Sequence, residues 1–365
     1  MIKLVETMDE LKQFVLLPKS LYRGHKHYVF PLFKILQKEL KALIFEKKTY
    51  QAILAYKNNK VVGRLLFTYD ISKHKQSEVC YFSMLDMIDD IEVTASLFDF
   101  VYQDMKQKHI PYLEGTFSPY DPDTRRGILV KGYDSDPVLF TSYHEPYYKH
   151  HLESLGFYKA FDTLLLDGGE INLKNEQLLK RLYDFTVASQ HIQIDYLNMK
   201  NIDKEIDDIM IVLNEAHNEI IYQEPPTKEM LYTALKQMKS FINPKFVTIA
   251  REIKTQKPIG FAMILPDFNQ VIKKTKGNIF LFPLINKRKI TQAIGKLQYI
   301  VPKYQDKGVL AAMYYKEIVQ LRKFKISSIE MGTIMEDNYK SFHHFLRFGG
   351  SIKKVYRLYG KDIQL

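Results

Sequence analysis

The chain has 365 residues, with 53 Lys and Arg against 42 Asp and Glu for a net charge of +11. Its 46% hydrophobic and 26% charged residues exclude a disordered chain, and this length buries a core without disulfide or metal staples. Cys80 is the single cysteine, which excludes an intrachain disulfide and a multi-cysteine zinc site, and no apolar run approaches the ~18–20 residues of a membrane span. The opening MIKLVETMDELK lacks the apolar centre of a signal peptide, so a soluble, cytoplasmic protein is expected. Charge is unevenly placed. Residues 1–170 carry 22 Lys and Arg against 23 Asp and Glu, a net of −1, which leaves +12 for residues 171–365. A one-sided surplus suits an anionic partner, although a solvated lysine-rich surface explains it equally well.

In chain order, Ile2–Glu6 alternates like a short strand, and a helical pattern over Met8–Leu17 closes at Pro18. A second helical stretch spans Pro31–Leu43. The strands Ala52–Tyr56 and Val61–Tyr69 flank Asn58-Asn59, a pair that tolerates the positive φ of a tight hairpin. A strand at Val79–Leu85 precedes a helix at Asp90–Lys106, whose acidic start suits a helix N-terminus. A strand at Pro111–Thr116, a helix at Glu145–Leu155 stopped by Gly156 and a strand at Ala160–Leu166 finish the first half. Asp167-Gly168-Gly169-Glu170 reads as a linker.

The second half repeats the order. A strand at Ile192–Tyr196 is followed by helices at Ile202–His217 and Thr227–Met238, then strands at Phe246–Arg251 and Ile259–Leu265. After a lysine-rich insertion, Pro266–Gly295, come a strand at Lys296–Val301 and a helix at Gly308–Lys323. A strand at Ser328–Thr333, a helix at Asn338–Phe348 and a strand at Lys353–Tyr359 complete it. The fold class is α/β, with a mixed sheet in each of two tandem units. The insertion is either a flap over an acceptor site, a basic docking surface or a solvated excursion.

The most informative string is KLQYIVPKYQDKGVLAAMYYKEI, Lys296–Ile318. A β-branched strand runs through Gln305-Asp306-Lys307-Gly308 straight into a helix. Such a junction aims several unpaired N–H groups at one point, and the helix dipole adds positive potential there. Gly308 lets the backbone approach a bulky anion, and Lys307 adds a full charge. Gln305, Asp306, Lys307, Gly308 and Val309 are therefore a candidate diphosphate cradle; the bland alternative is an ordinary helix start. The matching junction of the first half, SMLDMIDDIEV, has no glycine and carries Asp86, Asp89 and Asp90, which repel a diphosphate.

This loop, with the order of elements around it, resembles the GNAT acetyltransferase superfamily, whose Arg/Gln-x-x-Gly-x-Gly/Ala amides hold the coenzyme A pyrophosphate. Gln305 and Gly308 match, and Leu310 stands where Gly or Ala is usual. Asn338 and Gly349 match the Asn and Gly of the family's next helix, while its usual Tyr is Phe345 here. FVLLPKSLYRGHKHYVFPL, RGILVKGYDSDP, YYKHHLESLGFYKAFD and IMEDNYKSFHHFLRFGGSIKKVYRLYGK are similar to a group of bacterial tandem-GNAT proteins. The resemblance implies two GNAT-like domains, 1–169 and 170–365, each a central, mostly antiparallel sheet flanked by helices, the first a degenerate copy without cofactor. It implies acetyl-CoA or another acyl-CoA as cofactor and direct transfer to a small amine-bearing acceptor. Pantetheine would lie between the strands at 296–301 and 328–333, with an N–H near Ile300–Val301 polarising the thioester carbonyl.

An amine must lose a proton before attack. Glu330 and Glu336 bracket the turn beside this slot; Glu330 is the stronger candidate base, and Glu336-Asp337 reads better as ordinary charge before a helix. Tyr339 and His344 are further candidates, with His343 pointing ~100° away from His344. A strand-surface carboxylate and solvated histidines are the competing readings. The histidines lack metal-pair spacing, so no metal is expected. Two alternatives stay open. An aminoacyl-tRNA-dependent transferase would use the basic half to bind tRNA, the one nucleic acid considered. A non-catalytic acyl-CoA-binding protein would bind without turnover.

Overall fold

The computed structural model describes residues 1–365 except 73–74, 122–123, 217–226, 230, 233–242, 285–288, 340–342, 344 and 347–349. The first half contributes β1 (Ile2–Leu4), α1 (Met8–Leu21), α2 (Phe33–Lys41), β2 (Gln51–Lys57), β3 (Lys60–Ser72), β4 (Ser77–Met87) and α3 (Ile91–Gln107). It continues with β5 (Tyr112–Gly115), β6 (Ile128–Lys131), α4 (Tyr147–Ser154) and β7 (Tyr158–Glu170). The second half supplies α5 (Leu173–Gln190), β8 (Ile192–Tyr196), α6 (Ile202–Ala216), β9 (Val247–Glu252), β10 (Pro258–Pro266) and α7 (Asn269–Thr275). It ends with β11 (Gln292–Ile300), α8 (Val309–Lys323), β12 (Ser328–Met335) and β13 (Ser351–Asp362). The helices expected at Thr227–Met238 and Asn338–Phe348 lie largely outside the described residues.

The thirteen strands among the described residues join one sheet, in the order β1-β2-β3-β4-β5-β13-β7-β12-β11-β10-β9-β8, with β6 also on β13. The centre of this order exchanges strands between the halves. β13, the last of the described strands, pairs with β5 of the first half, and β7 pairs with β12 of the second. Asp167–Glu170 is therefore not a linker but the end of β7, where Asp167 pairs with Glu330 and Glu170 with Ser328. Gly168 is needed there because a Cβ would stand 2.9 Å from the Ile329 carbonyl oxygen.

Alternation along the strands sorts the helices onto two faces. In β2, Ile53 and Ala55 pack with α3 and α4, whereas Ala52 and Leu54 pack with α1 and α2. In β9, Thr248 donates to Glu317 of α8 at 3.1 Å, while Arg251, three residues on, reaches Glu205 and Asp208 of α6. The hairpin at Asn58-Asn59 forms as expected, with φ of 52° and 59°. Helix α1 continues through Pro18 rather than ending at it.

The 266–295 insertion is not a solvated excursion. The Phe33 N–H donates to the Gly277 carbonyl, Lys273 to the Lys26 carbonyl, and Asn269 to the Pro137 carbonyl. The insertion is thus a clamp from the second half onto the first.

Candidate functional site

β11 and β12 run parallel but pair only from Gln292↔Ser328 to Gly295↔Met331. A register shift against β10 leaves Lys296 as a bulge, and β11 then runs on to Ile300 while β12 runs on to Met335, so the strands part into a gap. The Val301 N–H is committed to the Ile259 carbonyl at 2.9 Å. Bonding alternates between the two edges of an antiparallel strand, so the neighbouring Ile300 N–H points the other way, into the gap.

Beyond the gap, Tyr304 anchors the loop by donating to Glu252 at 2.7 Å. Hydrogen bonds from Thr255 and Tyr304 hold the Glu252 carboxyl down to about 2. The Gln305 amide donates to the Ile300 carbonyl at 3.1 Å and fixes the way into the turn. Asp306 (φ 57°) and Gly308 (φ 80°) are both left-handed. Gly308 is the N-cap of α8 and brings no side chain of its own to cap this end, so the first-turn N–H groups are available to a ligand. A Cβ on Gly308 would stand 2.7 Å from Thr186 Oγ1 of α5, so the chain at this point tolerates glycine alone. Asp306 and Lys307 are exposed, and Lys307 Nζ lies 5.5 Å above the Tyr304 ring. Val309 is buried and offers the site only its N–H. An uncapped helix start, a glycine packed to contact and an exposed cation fit a diphosphate.

The residues considered for proton transfer are dispersed. Glu330 is 2% exposed, and its carboxylate accepts hydrogen bonds from Lys353 and Gln292. Burial raises its pKa, with Lys353 pulling the other way. It lies beside the closed end of the gap, on the face away from α8, because its neighbours Ile329 and Met331 pack with Tyr314 and Leu321 of α8. Its Oε2 is buried with no hydrogen-bond partner among the described residues. Glu336 accepts from Lys159 and from the Asp162 N–H, stitching the end of β12 to β7. Tyr339 is 67% exposed with its ring beside His343. Asn338 is exposed, and its N–H donates to the Met335 carbonyl. His344 and Gly349 lie outside the described residues. Phe345 packs 5.9 Å from the buried Tyr314 ring.

The structure adds polar groups that carry no motif. Asp267 accepts from the Leu139 and Asn269 N–H groups, and burial pushes its carboxyl up to about 7. Lys354 is fully buried, donating to the Gly132 and Ser135 carbonyls, and burial lowers its ammonium to about 8.

The first half opens in the same way and then fills the opening. β4 and β5 pair in parallel only from Cys80↔Leu113 to Phe82↔Gly115, and β4 bulges with Met84 at φ 49°. The Tyr147 hydroxyl donates to the Met87 carbonyl at 2.6 Å, and the Met87 N–H donates to Tyr148. Tyr148 meets Tyr22 at 2.7 Å, and Asp86 is ion-paired with Arg64 at 2.6 Å. The α3 N-terminus is capped by its own Asp90, with Glu92 in the first turn. Protein groups thus take up both the carbonyl and the N–H of Met87, whereas at the matching Ile300 the carbonyl is held by Gln305 and the N–H has no partner among the described residues. Beside this plug, a cavity of about 340 Å³ runs from Met84 and Asp86 to α2 and the clamp residues Asn269 and Ile272.

No family model matches the sequence. The chain is 27% identical to Protein YghO of Escherichia coli, over 97% of this chain and 93% of that one. It is 23% identical to the bacterial ceramide synthase of Caulobacter vibrioides, over 98% and 96%. A tandem GNAT protein from the clavulanic acid biosynthesis pathway superposes over 100% of this chain and 99% of its own, with a TM-score of 0.59 at 10% identity. The parted parallel strands, repeated in both halves of one mixed sheet, are thus those of a known architecture, and the chain has the fold of the GNAT N-acetyltransferases in tandem form.

Proposed function

We propose that the protein is an acyl-CoA-dependent N-acyltransferase whose second half, residues 170–365, binds the cofactor, while the first half, residues 1–169, is a silent copy. One contrast supports the reading: among the described residues the Ile300 N–H at the β11/β12 gap has no partner and the helix beyond it starts at a glycine, whereas at the β4/β5 gap Tyr147 and Tyr148 take up both polar groups of Met87 and Asp90 caps the helix. When bound, acyl-CoA supplies an activated acyl group as its thioester. The first turn of α8, with Gly308 and Lys307, holds the diphosphate, and the Ile300 N–H donates to the acyl carbonyl oxygen. Glu330, whose buried Oε2 has no hydrogen-bond partner among the described residues, is the base for the proton of an incoming amine, with Tyr339 and His344 as further proton carriers. A relative over nearly the whole chain is named a ceramide synthase, and a ceramide is an amide of a long-chain amino alcohol. That name supports amide formation and admits acyl groups longer than acetyl.

Calorimetry with acetyl-CoA and coenzyme A tests the reading. The wild type is expected to bind one molecule per chain, Lys307→Glu about ten-fold more weakly and Gly308→Glu not at all. Lys307→Glu guards against misfolding, since its side chain is exposed. Wild type that binds neither compound would refute the proposal. Thiol release with an amine panel then separates an enzyme from a binding protein. Steeply salt-dependent tRNA binding in place of coenzyme A binding would favour the aminoacyl-tRNA reading, which the +12 charge of residues 171–365 supports.

A further inference from the structure

The clamp that closes the two halves together also presents apolar side chains to water. After α7 the chain makes a short 3-10 helix, Ile279–Leu284, of which Phe282 is buried against Phe268, Val271 and Ile290. With Phe282 pinned, the flanking Phe280, Leu281 and Leu284 are 66%, 41% and 81% exposed. Leu281 and Leu284 are three apart in a tight 3-10 turn, so they share one side. The adjoining helix α2 exposes Ile35 at 41%. The two elements are held together, since the Phe33 N–H donates to the Gly277 carbonyl and Lys34 Nζ sits 4.4 Å over the Phe280 ring.

Among the described residues, the exposed charges nearest in sequence to this apolar group are lysines. Lys34 and Lys38 lie one turn apart on α2, and Lys274, Lys276 and Lys289 flank the 3-10 helix in sequence. Lys273 is already paired with Asp136, and Glu39, on the inner side of α2, faces the cavity rather than this rim. Large apolar side chains ringed by lysines, on a backbone fixed by a buried anchor, match the layered chemistry of a bilayer surface: acyl chains below, anionic headgroups above. Ile35 also belongs to the wall of the 340 Å³ cavity, so that cavity opens beside the same face.

We propose that this face, formed by Phe280, Leu281, Leu284 and Ile35 with the surrounding lysines, docks the protein on an anionic lipid bilayer. The contact is peripheral: no helix among the described residues is long and apolar enough to cross a membrane. It stands independently of the acyl-transfer reading, which coenzyme A titration tests separately.

Co-sedimentation of the full chain with phosphatidylcholine vesicles, with and without 30% phosphatidylglycerol, decides it. The wild type is expected to bind the anionic vesicles, at least ~10-fold more tightly than the neutral ones and progressively less as salt rises. Phe280→Ser with Leu284→Ser is expected to weaken binding to both kinds of vesicle. Lys274→Glu with Lys276→Glu is expected to remove the preference for phosphatidylglycerol while leaving the protein's melting temperature unchanged. Equal behaviour of wild type and both variants, or no vesicle binding by the wild type, overturns the proposal. So does a wild-type dimer on gel filtration that Phe280→Ser with Leu284→Ser converts to monomer, which would assign the face to a second copy of the chain.

Discussion

Pro18 lies in the last turn of α1, where it lacks the N–H that would bond the Phe14 carbonyl. Arg64 supplies the missing donor: its guanidinium reaches the Phe14 oxygen at 2.7 Å while its other nitrogens hold Asp86. A proline read as a stop is thus carried inside the helix by a side chain 46 residues away on β3. Asp267 is the residue whose burial has a pH signature. Its carboxyl titrates at about 7 in the folded protein, against ~3.9 in an unfolded chain, because burial opposes its charge and Glu330 and Asp136 add repulsion. Between pH ~4 and 7 the folded state therefore holds a proton that the unfolded state has lost. Stability from this group declines as pH rises through that window and stays low above it. Asp267→Asn keeps an acceptor for the Leu139 and Asn269 N–H groups and removes the titration. The variant should gain on the order of 1–4 kcal/mol over wild type at pH 8 and little at pH 4, read by urea melts at both values.

Among the elements, α4 acts as the stopper of the first-half gap. Tyr148→Phe deletes the hydroxyl shared by Tyr22 and the Met87 N–H, and is expected to cost about 1–3 kcal/mol in urea unfolding. It should leave acyl-CoA binding at one per chain, because Asp90 and Glu92 still occupy the α3 start. Elements with strong periodicity were legible in the sequence. The β2–β3 hairpin, α3, β8, the β9–β10 pair, α8 and β12 stand within a few residues of expectation, and the strands at 296–301 and 328–333, between which the resemblance implied a slot, part after Gly295. Helix α5 was not legible, because Thr186 alone of its eighteen residues is fully buried, so it writes almost no apolar stripe. β6 was hidden by its four-residue length. The double glycine of Asp167–Glu170 carries the composition of a linker, while its strand conformation depends on close approach to β12, a contact between distant residues. The buried set of Glu330, Lys353, Lys354 and Asp267 was opaque for the same reason, apart from Glu330.

At the scale of the whole molecule, the halves share strands rather than merely touching. Residues 1–170 alone would leave β5 without β13, and β7 without either β13 or β12. Expressed separately, this fragment should show no cooperative thermal transition by circular dichroism, and mixing it with residues 171–365 during refolding should restore one. A cooperative melt of the isolated fragment would show that the exchange is dispensable. The clamp and the Lys354 anchor in the Gly132–Ser135 turn add further cross-links between the halves.

The exchange of β13 also sets a schedule for synthesis. β5 ends at Gly115, but the strand that covers its edge begins at Ser351, 236 residues later. At the usual pace of a ribosome, that edge stays bare for roughly 10–50 s while the rest of the chain emerges. An uncovered strand edge is a template for pairing with other chains, so the nascent first half passes through its aggregation-prone interval before the protein can close on itself.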